Sequence, residues 1–234
     1  MKTQIFLLHF AGGNRYSYQF ITPQLLLYFD VIPIELPGRG KRISEPLLRN
    51  FSDASRDLYK QITSKLSDNK FIIYGHSMGA LLALSITSML QDSGRAPDYL
   101  FVSGSAGPEK TENINRHLLD RQSFINELKE MGGMPQGVIE NQDLFQFFEP
   151  IIRADFEIIS KNQIEIFPKL ETPVFAIMGS REKNVENISD WQKVTKGAFN
   201  YEVLEGGHFF IYDHSQRIVD LIGCWTKNIP GILP

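Results

Sequence analysis

Six short apolar runs, with helical or turn-like segments between them, constrain this chain more than any other feature. They are "IFLLHF" (5–10), "VIPIEL" (31–36), "FIIY" (71–74), "YLFVS" (99–103), "VFAIM" (174–178) and "YEVL" (201–204). Most are apolar at consecutive positions rather than alternate ones. A strand of that kind is covered on both faces, as in a parallel sheet flanked by helices. Helical patterns lie between the runs: from residue 52 or 53 to about 66, from just after Ser77 to about 91, and from Asp213 or Ser215 to about Lys227. Asp213 and Ser215 are both competent caps for the last of these. Strand and helix in alternation predict a doubly wound, mostly parallel α/β sheet. The 234 residues, 42% of them hydrophobic, can bury one sizeable core, so 1–234 is read as a single domain.

One interval breaks the alternation. About 70 residues separate Ser103 from Val174, whereas a crossover between parallel strands needs a dozen or more. The interval holds "RHLLDRQSFINELKEM" (116–131) and "DLFQFFEPIIRADFEIIS" (143–160), both helical in pattern and too apolar for a linker. Residues 104–173 therefore read as a helical lid over the C-terminal edge of the sheet, where open α/β sheets bind ligands.

Composition removes several classes of function. The formal charge is −3 and no run of Lys or Arg stands out, so neither nucleic acid nor an anionic membrane is an expected partner. Cys224 is the single cysteine, which excludes an intrachain disulfide and a cysteine-based metal centre. The opening "MKTQIFLLHFAGG" has the outline of a small signal peptide, but its apolar run is short and His9 interrupts it. It reads better as a buried first strand. No stretch approaches the length of a membrane span. The chain is expected to be cytoplasmic.

The most specific chemical signal is "YGHSMGA" (74–80), which contains Gly-x-Ser-x-Gly. By chance alone a chain of this length carries that pattern roughly one time in twelve. Its context is stronger. "KFIIYG" is a buried strand and "ALLALSITSML" a helix without Gly or Pro, so Ser77 falls on the sharp strand-to-helix turn of a nucleophile elbow. The bland alternative is a turn with an idle serine.

A serine nucleophile needs a base, and the base needs an orienting acid. His9 and His76 precede or adjoin the serine, and His117 lies in the lid. His208, in "LEGGHFFIYD", follows the last strand directly, where the base belongs. Gly206 and Gly207 let the backbone turn there, and Phe209 and Phe210 can wall the ring from water. His214 opens the last helix, an ordinary place for a polar residue. For the acid, Glu182 follows "VFAIM" closely, ahead of Glu186 and Asp190, while Asp155 would have to reach back from the lid. An oxyanion hole needs two backbone N–H donors. Met78, after the serine, supplies one; Ala11, in "FAGGN" after the first strand, is the expected second. Of the lid residues, Met131, Met134, Phe145, Phe147, Phe148 and Phe156 could line an acyl slot, although most residues at helical spacing are core. Asp155 reads as a lid salt-bridge residue with Arg153 as partner.

Taken together, "LLHFAGGNRYSY" (7–18), "ELPGRGKR" (35–42), "YGHSMGA" (74–80), "GGMP" (132–135), "IIRADFEI" (151–158), "PVFAIMGSREK" (173–183) and "GGHFF" (206–210) resemble the type II thioesterases. These are discrete α/β-hydrolases that accompany non-ribosomal peptide and polyketide synthases. The resemblance spans nearly the whole chain and includes lid segments that generic hydrolases lack. It implies an α/β-hydrolase fold and a serine thioesterase that clears acyl groups from the phosphopantetheine arm of carrier proteins. It places the nucleophile on Ser77, the base on His208, the oxyanion donors on Ala11 and Met78, and the acid on Glu182, where the family usually has Asp. Met131, Met134, Phe148 and Phe209 are the expected substrate-binding residues. No cofactor or metal is implied, and the expected partners are acyl or peptidyl carrier domains met by a monomer. A general carboxylesterase or acyl-coenzyme A hydrolase would need the same triad, and an acyl-binding module without catalysis is the alternative from another class.

Overall fold

All six apolar runs become strands of one sheet. The computed structural model describes residues 2–108, 115–161 and 169–226. The strands are β1 (Thr3–Leu8), β2 (Phe29–Ile34), β3 (Phe71–His76), β4 (Tyr99–Ser103), β5 (Val174–Gly179) and β6 (Phe199–Leu204). Their order is β2-β1-β3-β4-β5-β6, and every neighbouring pair is parallel. The chain steps outward from β1 to β2, then returns across β1 to β3. The strand order therefore reverses between β1 and β3, and the loops after these two strands face one crevice at the C-terminal edge.

The expected first strand reached residue 10, but pairing ends at Leu8. His9 explains the early end. Its Nδ1 lies 2.8 Å from the Phe10 carbonyl and its Nε2 accepts the Leu36 N–H at 3.3 Å, which ties the ends of β1 and β2 together. Burial, with Arg39 nearby, lowers its pKa to about 4, so this imidazole is neutral. The second strand begins and ends earlier than the apolar run suggested. Pro33 lies within it, and β2 stands at the sheet edge, where a residue without an N–H is tolerated.

Among the described residues the α-helices are α1 (Thr22–Leu25), α2 (Phe51–Lys65), α3 (Met78–Asp92), α4 (Arg121–Met131), α5 (Gln136–Glu140), α6 (Gln142–Ser160) and α7 (Ser215–Thr226). Helix α2 begins at Phe51, just before the expected 52 or 53, and Asn50 caps it by accepting the Asp53 N–H. Ala54, Leu58 and Ile62 then recur at helical spacing on the buried face. Helix α3 is apolar nearly all round because it is buried nearly all round. The end of α7 expected at Lys227 lies outside the described residues.

Side chains alternate between two cores, as a strand's period of two requires. Phe6, Leu8, Ile73, Val102 and Ala176 face α2 and α3. Ile5, Leu7, Ile72, Phe101 and Phe175 face the other way, towards Tyr18, Ile21, Leu25 and the apolar stripe of α7. The interval between β4 and β5 folds as α4, α5 and α6 with a smaller core of its own, built on Phe124, Leu128, Phe145, Ile152 and Phe156. Asp120 caps α4 and Asn141 caps α6. No sequence signal had separated α5.

Candidate active site

The turn between β3 and α3 is strained at one residue. Ser77 has φ 56° and ψ −118°, a conformation rare for a residue with a Cβ. Its N–H donates to the Ser103 carbonyl at 2.8 Å, which anchors the turn to β4. The flanking glycines are required by contact rather than by dihedral angle. A Cβ on Gly75 would run into the Gly79 carbonyl, and a Cβ on Gly79 into the Leu8 carbonyl. Helix and strands approach so closely that only glycine fits at positions 75 and 79, and Ser77 sits on the turn at the start of α3.

His208 meets it from the loop after β6. Its Nε2 lies 2.9 Å from Ser77 Oγ, and its Nδ1 lies 2.6 Å from Glu182 Oε2. The second carboxylate oxygen, Oε1, accepts the Gly179 N–H at 2.8 Å. The Glu182 N–H returns a bond to the Gly179 carbonyl at 3.1 Å. Glu182 is thus the last residue of a tight turn leaving β5, and its carboxylate folds back over that turn. The longer side chain reaches the imidazole because the loop is short. Its side chain is 6% exposed and that of His208 18%, so the relay is nearly dry but open to a ligand. With Nδ1–H held by the carboxylate, the Nε2 lone pair faces the serine hydroxyl, the tautomer that can take its proton.

The sequence relegated His76, and the structure gives it a supporting position. Its ring is wholly buried, 5.0 Å from that of His208. Its Nδ1 lies 2.8 Å from Ser103 Oγ, which in turn lies 2.9 Å from the Tyr74 hydroxyl. Burial pushes its pKa well below the ordinary imidazole value, so it stays uncharged behind His208. A Cβ on Gly104 would enter this ring, so only glycine fits there.

The other expected donors occupy the crevice. Met78 is the first residue of α3, at the positive end of the helix dipole. Ala11 lies in the loop after β1, where Gly12 has φ 74°. Among the described residues neither the Ala11 nor the Met78 N–H is engaged by a hydrogen bond. This constellation of serine, imidazole, carboxylate and free amides is the equipment of acyl transfer.

A model of the thioesterase domain matches residues 3–226. The chain belongs to the thioesterase domain family. Linear gramicidin dehydrogenase LgrE of Brevibacillus parabrevis is 30% identical over 93% of this chain and 85% of that protein. The probable anguibactin biosynthesis thioesterase AngT of Vibrio anguillarum is 30% identical over 94% of this chain and 90% of its own length. The solved structure of the type II thioesterase BorB from the borrelidin biosynthetic cluster matches with a TM-score of 0.88. It is 26% identical and covers 95% of this chain and 92% of that one. The sheet and its helices are those of the α/β-hydrolase fold.

Two cavities of this thioesterase share Ser77 and His208. The smaller, about 60 Å³, is mostly apolar and is lined by Ala11, Leu128, Met131, Met134, Phe156 and Phe209. The larger, about 290 Å³, is more polar and carries Met78, Arg116, Arg181, Glu182, Lys183 and Asn184. Met131, Met134 and Phe209 therefore line the cavity that also holds Ser77 and His208. Phe148 does not reach the serine; it lines a neighbouring groove of about 360 Å³ with Tyr16, Phe20 and Tyr212. Phe145 packs inside the small core of α4 and α6, and Phe147 is exposed. Gly133 lies so close to the Phe209 ring that a Cβ there would overlap it. The "GGMP" segment is thus seated directly on the residue after His208.

The expected pairing of Asp155 with Arg153 is not what forms. Arg153 bonds Glu149 and the carbonyls of His117 and Leu119, across the α6 surface. Asp155, two residues on, projects from the opposite side of the helix, faces inward, and takes Arg39 from the loop after β2. Both halves of this pair sat in "ELPGRGKR" and "IIRADFEI", but no local periodicity links positions so distant in the chain. Among the described residues, no group of three or more His, Cys, Asp or Glu is placed to hold a metal ion, and no helix is long and apolar enough to cross a membrane.

Proposed function

We propose that this thioesterase hydrolyses acyl groups from the phosphopantetheine arm of carrier proteins, as an editing enzyme of non-ribosomal peptide or polyketide synthesis. The relay from Glu182 through His208 to Ser77, with hydrogen-bond distances at both joints, is the observation that carries the reading. AngT and BorB, by their names thioesterases of biosynthetic pathways, support the choice of substrate. The gramicidin relative is named a dehydrogenase, but a serine–histidine–carboxylate relay is a device for hydrolysis.

In this reading His208 Nε2 takes the Ser77 proton as Oγ attacks the thioester carbonyl. The Ala11 and Met78 N–H groups hold the oxyanion, helped by the dipole of α3. The intermediate collapses, the C–S bond breaks, and His208 returns the proton to the departing thiolate. Water then enters, His208 takes its proton, and the hydroxide attacks the acyl-serine. Collapse of the second intermediate restores the Ser77 hydroxyl and releases the acid. Glu182 holds Nδ1–H throughout and stabilises the imidazolium. We assign the acyl group to the small cavity with Met131, Met134 and Phe209, and the arm to the larger, more polar one. Phe148 would touch only a chain that passes beyond Met134. We place the enzyme in the cytoplasm, as a monomer.

Carrier-protein contacts remote from the carbonyl should speed the reaction. One acyl chain is offered as its carrier-protein thioester, its coenzyme A thioester and its nitrophenyl ester. The kcat/KM for the first should exceed the other two by about tenfold or more. Equal or reversed values would return the enzyme to the general esterases or acyl-coenzyme A hydrolases.

A further inference from the structure

The loop that carries Ala11 is held in part from α6, in the interval between β4 and β5. Asp155, on α6, is wholly buried, and its Oδ2 accepts the Gly12 N–H at 2.7 Å. The same oxygen accepts Arg39 Nη1 at 2.6 Å, and Oδ1 accepts Arg39 Nη2 at 2.8 Å. Arg39, 3% exposed, also donates to the Gly13 carbonyl at 3.2 Å and, through Nε, to the Pro37 carbonyl at 3.4 Å. Ile152, about one turn earlier on α6, presses on the same spot: a Cβ on Gly12 would lie 3.0 Å from its Cγ1. Gly12 N–H and Gly13 C=O are therefore both claimed by the ion pair. The next amide back along the chain is that of Ala11, which is left for the cavity beside Ser77.

A buried ion pair contributes little net stability compared with apolar residues of the same volume. Its most specific contribution here is direction, because a carboxylate with its charge satisfied by a two-pronged guanidinium has fixed oxygen positions. We propose that Asp155, clamped by Arg39, is the positioning residue of the oxyanion hole: it fixes the Gly12 peptide so that the Ala11 N–H points at the developing oxyanion. The hole is then complete only while α6 is docked against the loop after β1. The proposal rests on Ala11 being an oxyanion donor.

The test replaces the pair by apolar residues of similar size, Asp155→Leu with Arg39→Met, and in a second protein makes only Asp155→Asn. Each is measured for folding by circular dichroism, for kcat and KM on an acyl thioester, and for inhibition by a thioether trifluoromethyl ketone. That ketone adds to the serine and places an oxyanion in the hole. In the double variant kcat should fall about 100-fold, KM should stay within about twofold, and ketone affinity should fall about as much as kcat. Asp155→Asn, which keeps one acceptor oxygen, should show the same pattern at about tenfold. If the double variant does not fold, the Asn variant alone decides. Folded variants with kcat and ketone affinity within about twofold of the parent would overturn the proposal. So would a loss of kcat without a loss of ketone affinity. A parent enzyme that hydrolyses thioesters but ignores the ketone would instead overturn the oxyanion hole itself, Ala11 included.

Discussion

Ser77→Ala should lower kcat by about five to six orders of magnitude while leaving the protein folded. Among the described residues, Ser77 Oγ is the oxygen that His208 Nε2 bonds, at 2.9 Å. Without it the pair of His208 and Glu182 persists but has no hydroxyl to activate, and removing the nucleophile costs about as much as removing the whole relay. Folding should be unaffected for a specific reason. Ser77 already pays, in strain, for a positive φ with a Cβ present, and alanine carries the same Cβ. The anchor from the Ser77 N–H to the Ser103 carbonyl is a backbone bond and persists. Thioester hydrolysis followed by thiol release, together with a thermal melt within about 2 °C of the parent, is the check. Substantial residual turnover would mean that another group attacks the carbonyl.

Glu182→Gln should cost about three to four orders of magnitude in kcat, more than simple loss of a charge suggests. The Gly179 N–H already donates to Oε1, so the amide of a glutamine settles with its oxygen on Gly179 and its NH2 group towards His208. A donor facing Nδ1 forces the proton onto Nε2. The imidazole then points N–H, not a lone pair, at Ser77, and the base is lost. Glu182→Asp should cost less, about ten- to a hundredfold, because one methylene fewer makes the carboxylate abandon either Gly179 or His208. Rates on a carrier-bound thioester and folding by circular dichroism read both variants. A near-normal rate for the glutamine variant would move the acid to another carboxylate.

Much of this was legible in the sequence because it is local. Consecutive apolar residues named the four inner strands, since a strand buried on both faces has no polar side, while the edge strands β2 and β6 are only partly buried. The elbow could be read from Gly75, Ser77 and Gly79, because its geometry is set by contacts within a few residues and with the first strand. His208 followed from its place after a strand. Even the long interval between β4 and β5 declared itself helical through Phe124, Leu128, Phe145 and Phe156. What stayed hidden depends on distance in the chain. The partner of Asp155 is Arg39, 116 residues away, and the sequence offered Arg153 only because it was near. His76 and His9 were set aside by position, yet burial makes them neutral props on either side of the crevice. Phe148 shares the helical spacing of its neighbours, and only the three-dimensional turn of α6 puts it in an outer groove rather than beside the serine. Glu182 was legible as a carboxylate following a strand, but how it comes to face His208 was not: that rests on the fold-back turn between Gly179 and Glu182.

The central claim is that Ser77 attacks a thioester delivered on a carrier arm. The most direct measurement is peptide mass spectrometry after a timed exposure to a fluorophosphonate, with and without an excess of acyl-carrier protein. One phosphonate per chain is expected, on the peptide containing Ser77, formed more slowly when the acyl-carrier protein is present but not when the carrier lacks its arm. No adduct, an adduct on another residue, or labelling of Ser77 at one rate under all three conditions would contradict it.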